Sequence, residues 1–146
     1  MKTSKFFLVA LIAMMTTSVN SFADDMMIPV EQLPAAAKTF IKQHFPQQGI
    51  AYAQKDGFVR PTFEARLNNG TEIDFDTNGN WDKVDCKLTA VPAELIPEAI
   101  ANYVKANFPG NAITKIDKER HGFDIELDND LDLKFNKSGQ FFGMDD

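Results

Sequence analysis

The chain has 146 residues, with 21 acidic against 15 basic side chains, a net charge of −6, and one cysteine, Cys86. An acidic balance speaks against nucleic acid and anionic lipid as partners, because both select clustered Lys and Arg. A single thiol leaves no internal disulfide, so an apolar core must hold the fold.

The chain opens with a short basic region, Met1-Lys2-Thr3-Ser4-Lys5, then an apolar run from Phe6 to Met15 and a polar stretch ending Ser21-Phe22-Ala23. The run is shorter than the roughly 18 apolar residues that cross a bilayer. Small residues at 21 and 23 suit a signal peptidase, so residues 1–23 are expected to be removed. No cysteine follows the run and no later segment is apolar enough to span, which predicts a periplasmic or secreted protein without membrane insertion. Loss of Lys2 and Lys5 takes residues 24–146 to a balance of −8, in a length that suits one domain.

Residues 24–30 read as a loose lead into a helix that begins near Glu31. Leu33, Ala37, Phe40, Ile41 and His44 recur at the spacing of one helical face, while Lys38, Lys42 and Gln43 fall elsewhere. Pro34 fits the first turn, where its missing N–H costs nothing, and Phe45-Pro46 stops the helix.

The period then changes from 3.6 to 2. A strand is expected over about 50–55. Phe63, Ala65 and Leu67 next alternate with polar residues, as do Thr71, Ile73 and Phe75 after Asn68-Asn69-Gly70. Asn-Gly between alternating runs predicts a hairpin, because its turn needs positive φ. Thr77-Asn78-Gly79-Asn80 makes a second turn into Trp81 to Cys86.

This order recurs. Pro92 to Asn107 reads as a helix in which Ile96, Ile100, Tyr103, Val104 and Phe108 stand 63 residues after Leu33, Ala37, Phe40, Ile41 and Phe45. Phe123, Ile125, Leu127, Leu133 and Phe135 repeat Phe63, Ala65, Leu67, Ile73 and Phe75 at an offset of 60, which puts a three-residue deletion near Arg120-His121. A unit of roughly 60 residues buries only about 60% of its unfolded surface and is marginal alone. The expectation is an α+β domain made by tandem duplication, with repeats over about 28–88 and 91–146. They would form one continuous antiparallel sheet with both helices on one face.

The Leu-Pro to Phe-Pro helix, the Asp-x-Asp-x-Asn-Gly-x-Trp turn and their duplication behind a signal peptide resemble the PepSY-like group of exported bacterial proteins. Two-repeat members of that group are similar in fold to the β-lactamase inhibitory protein. The resemblance implies that the helices leave one sheet face open to a protein partner, and so implies binding or inhibition instead of catalysis. The second copy departs from the pattern at Lys134 to Phe141, so any role of the acidic turn belongs to the first.

Strand positions pointing away from the core are Glu64, Arg66, Glu72, Asp74, Asp76, Asp124, Glu126, Asp128, Asp132 and Lys134, eight acids against two bases. Such a face suits a basic protein or peptide, with Tyr52, Trp81, Phe141 and Phe142 as aromatic anchors where exposed; it also suits plain solvation that blocks edge aggregation. Asp74, Asp76, Asn78, Asp82 and Asp85 match the spacing of a calcium loop around Gly79. A strand-to-strand turn accounts for the same residues, and position 12 is Asp85 in place of a bidentate Glu. His44 and His121 have no counterparts in the other copy and no catalytic or transition-metal pairing. Cys86 reads as a small buried hydrophobe. The expectation is therefore a non-enzymatic binding or inhibitory module without a cofactor; the alternative is a calcium-stabilised structural protein of the cell envelope.

Overall fold

Two prolines set where the helices begin. Leu33 and Ile96, each before a proline, are extended with ψ of 143° and 123°, since proline disfavours the helical region for its predecessor. Each expected helix is therefore split. Short 3-10 turns at Val30–Gln32 and Ala93–Leu95 come first, then Pro34 or Pro97 as N-cap, then α1 (Ala35–His44) and α2 (Glu98–Asn107). Both helices stop at the expected Phe-Pro steps, where the N–H of Phe45 and Phe108 donates to the carbonyls of Ile41 and Val104.

This computed structural model describes residues 25–146, so the leader expected over 1–23 lies outside the described residues. The strands are β1 (Met26–Ile28), β2 (Ile50–Asp56), β3 (Thr62–Leu67), β4 (Glu72–Phe75), β5 (Trp81–Asp85), β6 (Ile113–Glu119), β7 (Gly122–Leu127), β8 (Asp132–Asn136) and β9 (Phe141–Asp145). They form one antiparallel sheet in chain order. The segment read as a loose lead is in fact an edge strand, with Ile28 opposite Ala53.

Each half contains a 3-10 turn, a helix and four strands after it. The match extends to irregularities. Bulges fall at Ile50/Tyr52 and Ile113/Lys115, 63 residues apart, and at Asp74/Phe75 and Lys134/Phe135, 60 apart. The β3–β4 turn uses Gly70 at φ 89°, and Asp130 takes the same left-handed place in the second half at φ 66°. The β6–β7 connection is shorter than that between β2 and β3, where the offset changes from 63 to 60.

The core is one continuous body. Ala53, Ala65, Ile73, Val84, Ile116, Ile125 and Leu133 stand opposite one another across neighbouring strands and are fully buried. Ala37 and Ile41 of α1, with Ile100 and Val104 of α2, join the same cluster, so both helices cover one face. Phe75 and Phe135, also fully buried, meet the edges of Phe40 and Tyr103 at 5.8 and 5.4 Å. Burial of each such ring contributes about 1.5–3 kcal/mol. Gly79 and Gly139 do more than turn the chain. A Cβ on Gly79 would lie 2.7 Å from that of Pro34, and one on Gly139 would lie 2.8 Å from that of Ala99, so each glycine lets a hairpin seat beneath a helix.

Candidate binding surface

Alternation along the strands sends every second side chain to the face the helices leave bare. The register aligns these residues in rows. One row runs Gln54, Glu64, Asp74, Lys83, Asp117, Asp124, Lys134 across β2 to β8; the next runs Tyr52, Arg66, Glu72, Asp85, Lys115, Glu126, Asp132, Asp145 across β2 to β9.

The face is therefore less uniformly acidic than the count from β3, β4, β7 and β8 suggested. β5 and β6, the central strands, bring Lys83 and Lys115. Arg66 pairs with Glu72, Lys83 with Asp74 at 2.8 Å, and Lys115 with Glu126 at 3.5 Å. Lys134 pairs with Asp145 at 2.7 Å, while Lys87, just past β5, holds Glu72 and Asp85 at 2.8 and 2.6 Å. His121 Nε2 lies 2.7 Å from Asp124.

Several of the acids this ladder leaves over lie together. Glu64, Asp82 and Asp117 form no ion pair among the described residues, and they line a hollow of about 280 Å³ with Asp25, Gln54, Asp56, Asp74 and Lys83. Burial, then Asp74, pushes the Glu64 carboxyl up from its ordinary value. Burial followed by the charge of Asp76 does the same to Asp82, and burial followed by that of Glu119 to Asp117. Burial opposes the charge on Lys83, but its hydrogen bond to Asp74 and the acids around it outweigh that and raise its pKa. Asp74 bonds Lys83 through one oxygen and keeps the other, buried one without a partner.

The residues with calcium-loop spacing do not converge on one point. The Asp76 carboxylate accepts the N–H groups of Asn78 and Asn80, both at 2.9 Å, and the Asn80 side-chain amide at 3.1 Å. Burial opposes its charge more than any one bond favours it, but these bonds together prevail and hold its pKa down. Asn136 makes the same turn in the second half, accepting from Ser138 and Gln140. Asp85 is taken by Lys87, whereas Asp74 and Asp82 line the hollow. Among the described residues no group of three or more His, Cys, Asp or Glu is placed to hold a metal ion.

Two expected anchors are on the other side of the sheet. Trp81 stacks on Phe40 at 6.0 Å and carries Lys118 Nζ 3.6 Å over its ring; Phe141 stacks on Tyr103 at 4.7 Å. The bulges beside Phe75 and Phe135 change the alternation, so Trp81 and Phe141 lie directly opposite these core rings and join the helix side. Tyr52 stays on the open face beneath Arg66, and Phe142, 55% exposed, borders it beside His121. Asp128 lies at the β7–β8 turn, bonded to Asn111. Lys83 and Asp117 were missed, although carrying 50–55 forward by 63 residues would have placed a strand through Lys115 and Asp117.

A family model described as "Putative beta-lactamase-inhibitor-like, PepSY-like" matches residues 61–142. The chain belongs to the PepSY-like family. Solved structures agree over the whole described region. A protein from Bacteroides vulgatus, described as a "putative periplasmic protein of unknown function", is 34% identical, with a TM-score of 0.80, covering 84% of this chain and all of that one. A protein from Bacteroides thetaiotaomicron, described as a "putative calcium-regulated periplasmic protein", is 38% identical with a TM-score of 0.79, covering 84% of this chain and 98% of that one. A second Bacteroides vulgatus protein, described as a "putative periplasmic protein", is 35% identical with a TM-score of 0.78, covering 84% of this chain and 98% of that one. No curated protein matches. This PepSY-like chain is, like these relatives, a periplasmic or secreted protein, and no described helix is long and apolar enough to cross a membrane.

Proposed function

We propose that the protein is a non-catalytic binding or inhibitory module whose open sheet face receives a basic protein or peptide. The hollow supports this reading. Glu64, Asp82 and Asp117 line it without an ion pair among the described residues, Asp74 repels the first two, and Lys83 is the one base of the lining. A Lys or Arg side chain entering from a partner would therefore add counter-charge, and about 280 Å³ accommodates a side chain. The paired rows around it present matched charges that fix orientation more than they add affinity. The test is affinity capture from the native periplasm with wild-type protein and Glu64→Lys/Asp117→Lys as parallel baits. A protein retained by the first and lost by the second supports the reading; equal retention counts against it.

A second reading is that calcium stabilises the protein within the envelope. It is favoured by the 38% identity to a relative described as calcium-regulated and by Asp74 and Asp82 at the hollow. A cation bound only by the folded state at 100 times its Kd adds about 2.7 kcal/mol. Thermal unfolding with and without millimolar calcium decides it: a raised midpoint supports calcium, and an unchanged one removes it.

A further inference from the structure

Bases at the open face are committed. Arg66, Lys83, Lys87, Lys115 and Lys134 all pair with carboxylates. The lysines of α1 are not. The helix has no acid of its own, and neither Lys38 nor Lys42 forms an ion pair among the described residues; the Lys38 ammonium donates only to the carbonyl of Glu31, at 3.2 Å. One turn apart, the two ammonium groups share a side of the helix.

That side borders a groove of about 580 Å³ lined by Val30, Ile41, Phe45 and Ile50, with Gln48 and both lysines. Its size falls within the range of small-molecule sites. The second half repeats the groove 63 residues on, at about 450 Å³, with Val104, Phe108 and Ile113 in place of Ile41, Phe45 and Ile50. There Ala101 replaces Lys38 and only Lys105 remains.

We infer that the groove beside α1 binds a carboxylate amphiphile of the fatty-acid type, its chain on the apolar lining and its head between Lys38 and Lys42. Charge selects the head: on a chain with a balance of −8 this is a place where two uncompensated cations meet. The lining selects the tail, since a hydrated inorganic anion gains nothing from the accessible Val30, Pro46 and Ile50. The second groove, short of one cation, is the internal comparison.

Dodecanoate below its micelle concentration is the probe, titrated into the mature protein by calorimetry and by amide chemical shifts. One molecule should bind per chain, with shifts centred on Ile41, Phe45, Gln48 and Ile50. Lys38→Glu/Lys42→Glu, at surface positions, should weaken it at least tenfold, whereas Lys105→Glu should leave it within twofold. Dodecyltrimethylammonium, with the same chain and opposite head, should not bind there. Absence of dodecanoate binding, equal affinity for the Lys38→Glu/Lys42→Glu protein, or shifts centred on the second groove would each overturn the inference.

Discussion

Glu64 stands directly opposite Asp74 across β3 and β4, and Asp74 already has Lys83 at 2.8 Å. Glu64→Gln keeps the side chain's size and removes the repulsion while leaving the Asp74–Lys83 pair intact. Like charges directly opposed on neighbouring strands cost up to about 1 kcal/mol. The variant should therefore be more stable by about 0.5–1 kcal/mol at pH 7.5, or about 2–5 °C in Tm for a domain of this length. The pH dependence follows from the raised carboxyl. A folded-state pKa above the unfolded one means that the native protein holds the proton longer. Wild-type stability then falls as pH rises from the unfolded value through the folded one. Below that window Glu64 is protonated in both states, so the advantage of the variant should vanish there. Thermal melts from pH 3.5 to 8 measure both quantities. A destabilised variant, or a gain independent of pH, would refute the claim that the hollow carries uncompensated charge.

Further outcomes are expected elsewhere. Gly70→Ala meets open space at φ 89° and should cost about 1–2 kcal/mol from backbone strain alone; Gly79→Ala adds contacts at 2.7 and 3.1 Å with Pro34 and the Ala37 amide and should cost about 1–3 kcal/mol more in urea unfolding. Asp76→Asn copies Asn136 and should hold stability within about 0.5 kcal/mol at pH 7. Because the Asp76 pKa is depressed in the fold, its contribution is present above the unfolded pKa and lost as pH falls through the folded one, so the Asn variant should lose less stability on acidification. Lys118→Ala should cost about 0.5–2 kcal/mol and change Trp81 fluorescence, since the lysine caps that ring.

The repeat was legible because it depends on local chemistry: Phe-Pro stops, Asn-Gly turns and alternating Phe and Ile positions act through neighbours in the chain. Helix starts were less so. The rule that ends α1 at Phe45-Pro46 also acts at Leu33-Pro34, where the apolar spacing runs straight across the break. β1 was missed because three residues carry no period and pair only once β2 exists. The charge of the open face was misjudged for a related reason. Lys83 and Lys115 reach it from β5 and β6, and each pairs with the neighbouring strand of its own half, Asp74 on β4 and Glu126 on β7, contacts that exist only once those strands are in register. Trp81 and Phe141 had the composition of binding anchors, but bulges beside their strands' partners turned them toward the helices.

The central claim is that the hollow bounded by Glu64, Asp82 and Asp117 is where a basic partner enters. The most direct measurement is calorimetric titration of the protein captured by the wild-type bait against wild type, Glu64→Gln/Asp117→Asn and Lys38→Glu/Lys42→Glu, each at two salt concentrations. The hollow variant should bind at least tenfold more weakly and with a flatter salt dependence, with the groove variant unchanged. Undiminished affinity and an unaltered salt response in the hollow variant would contradict the central claim.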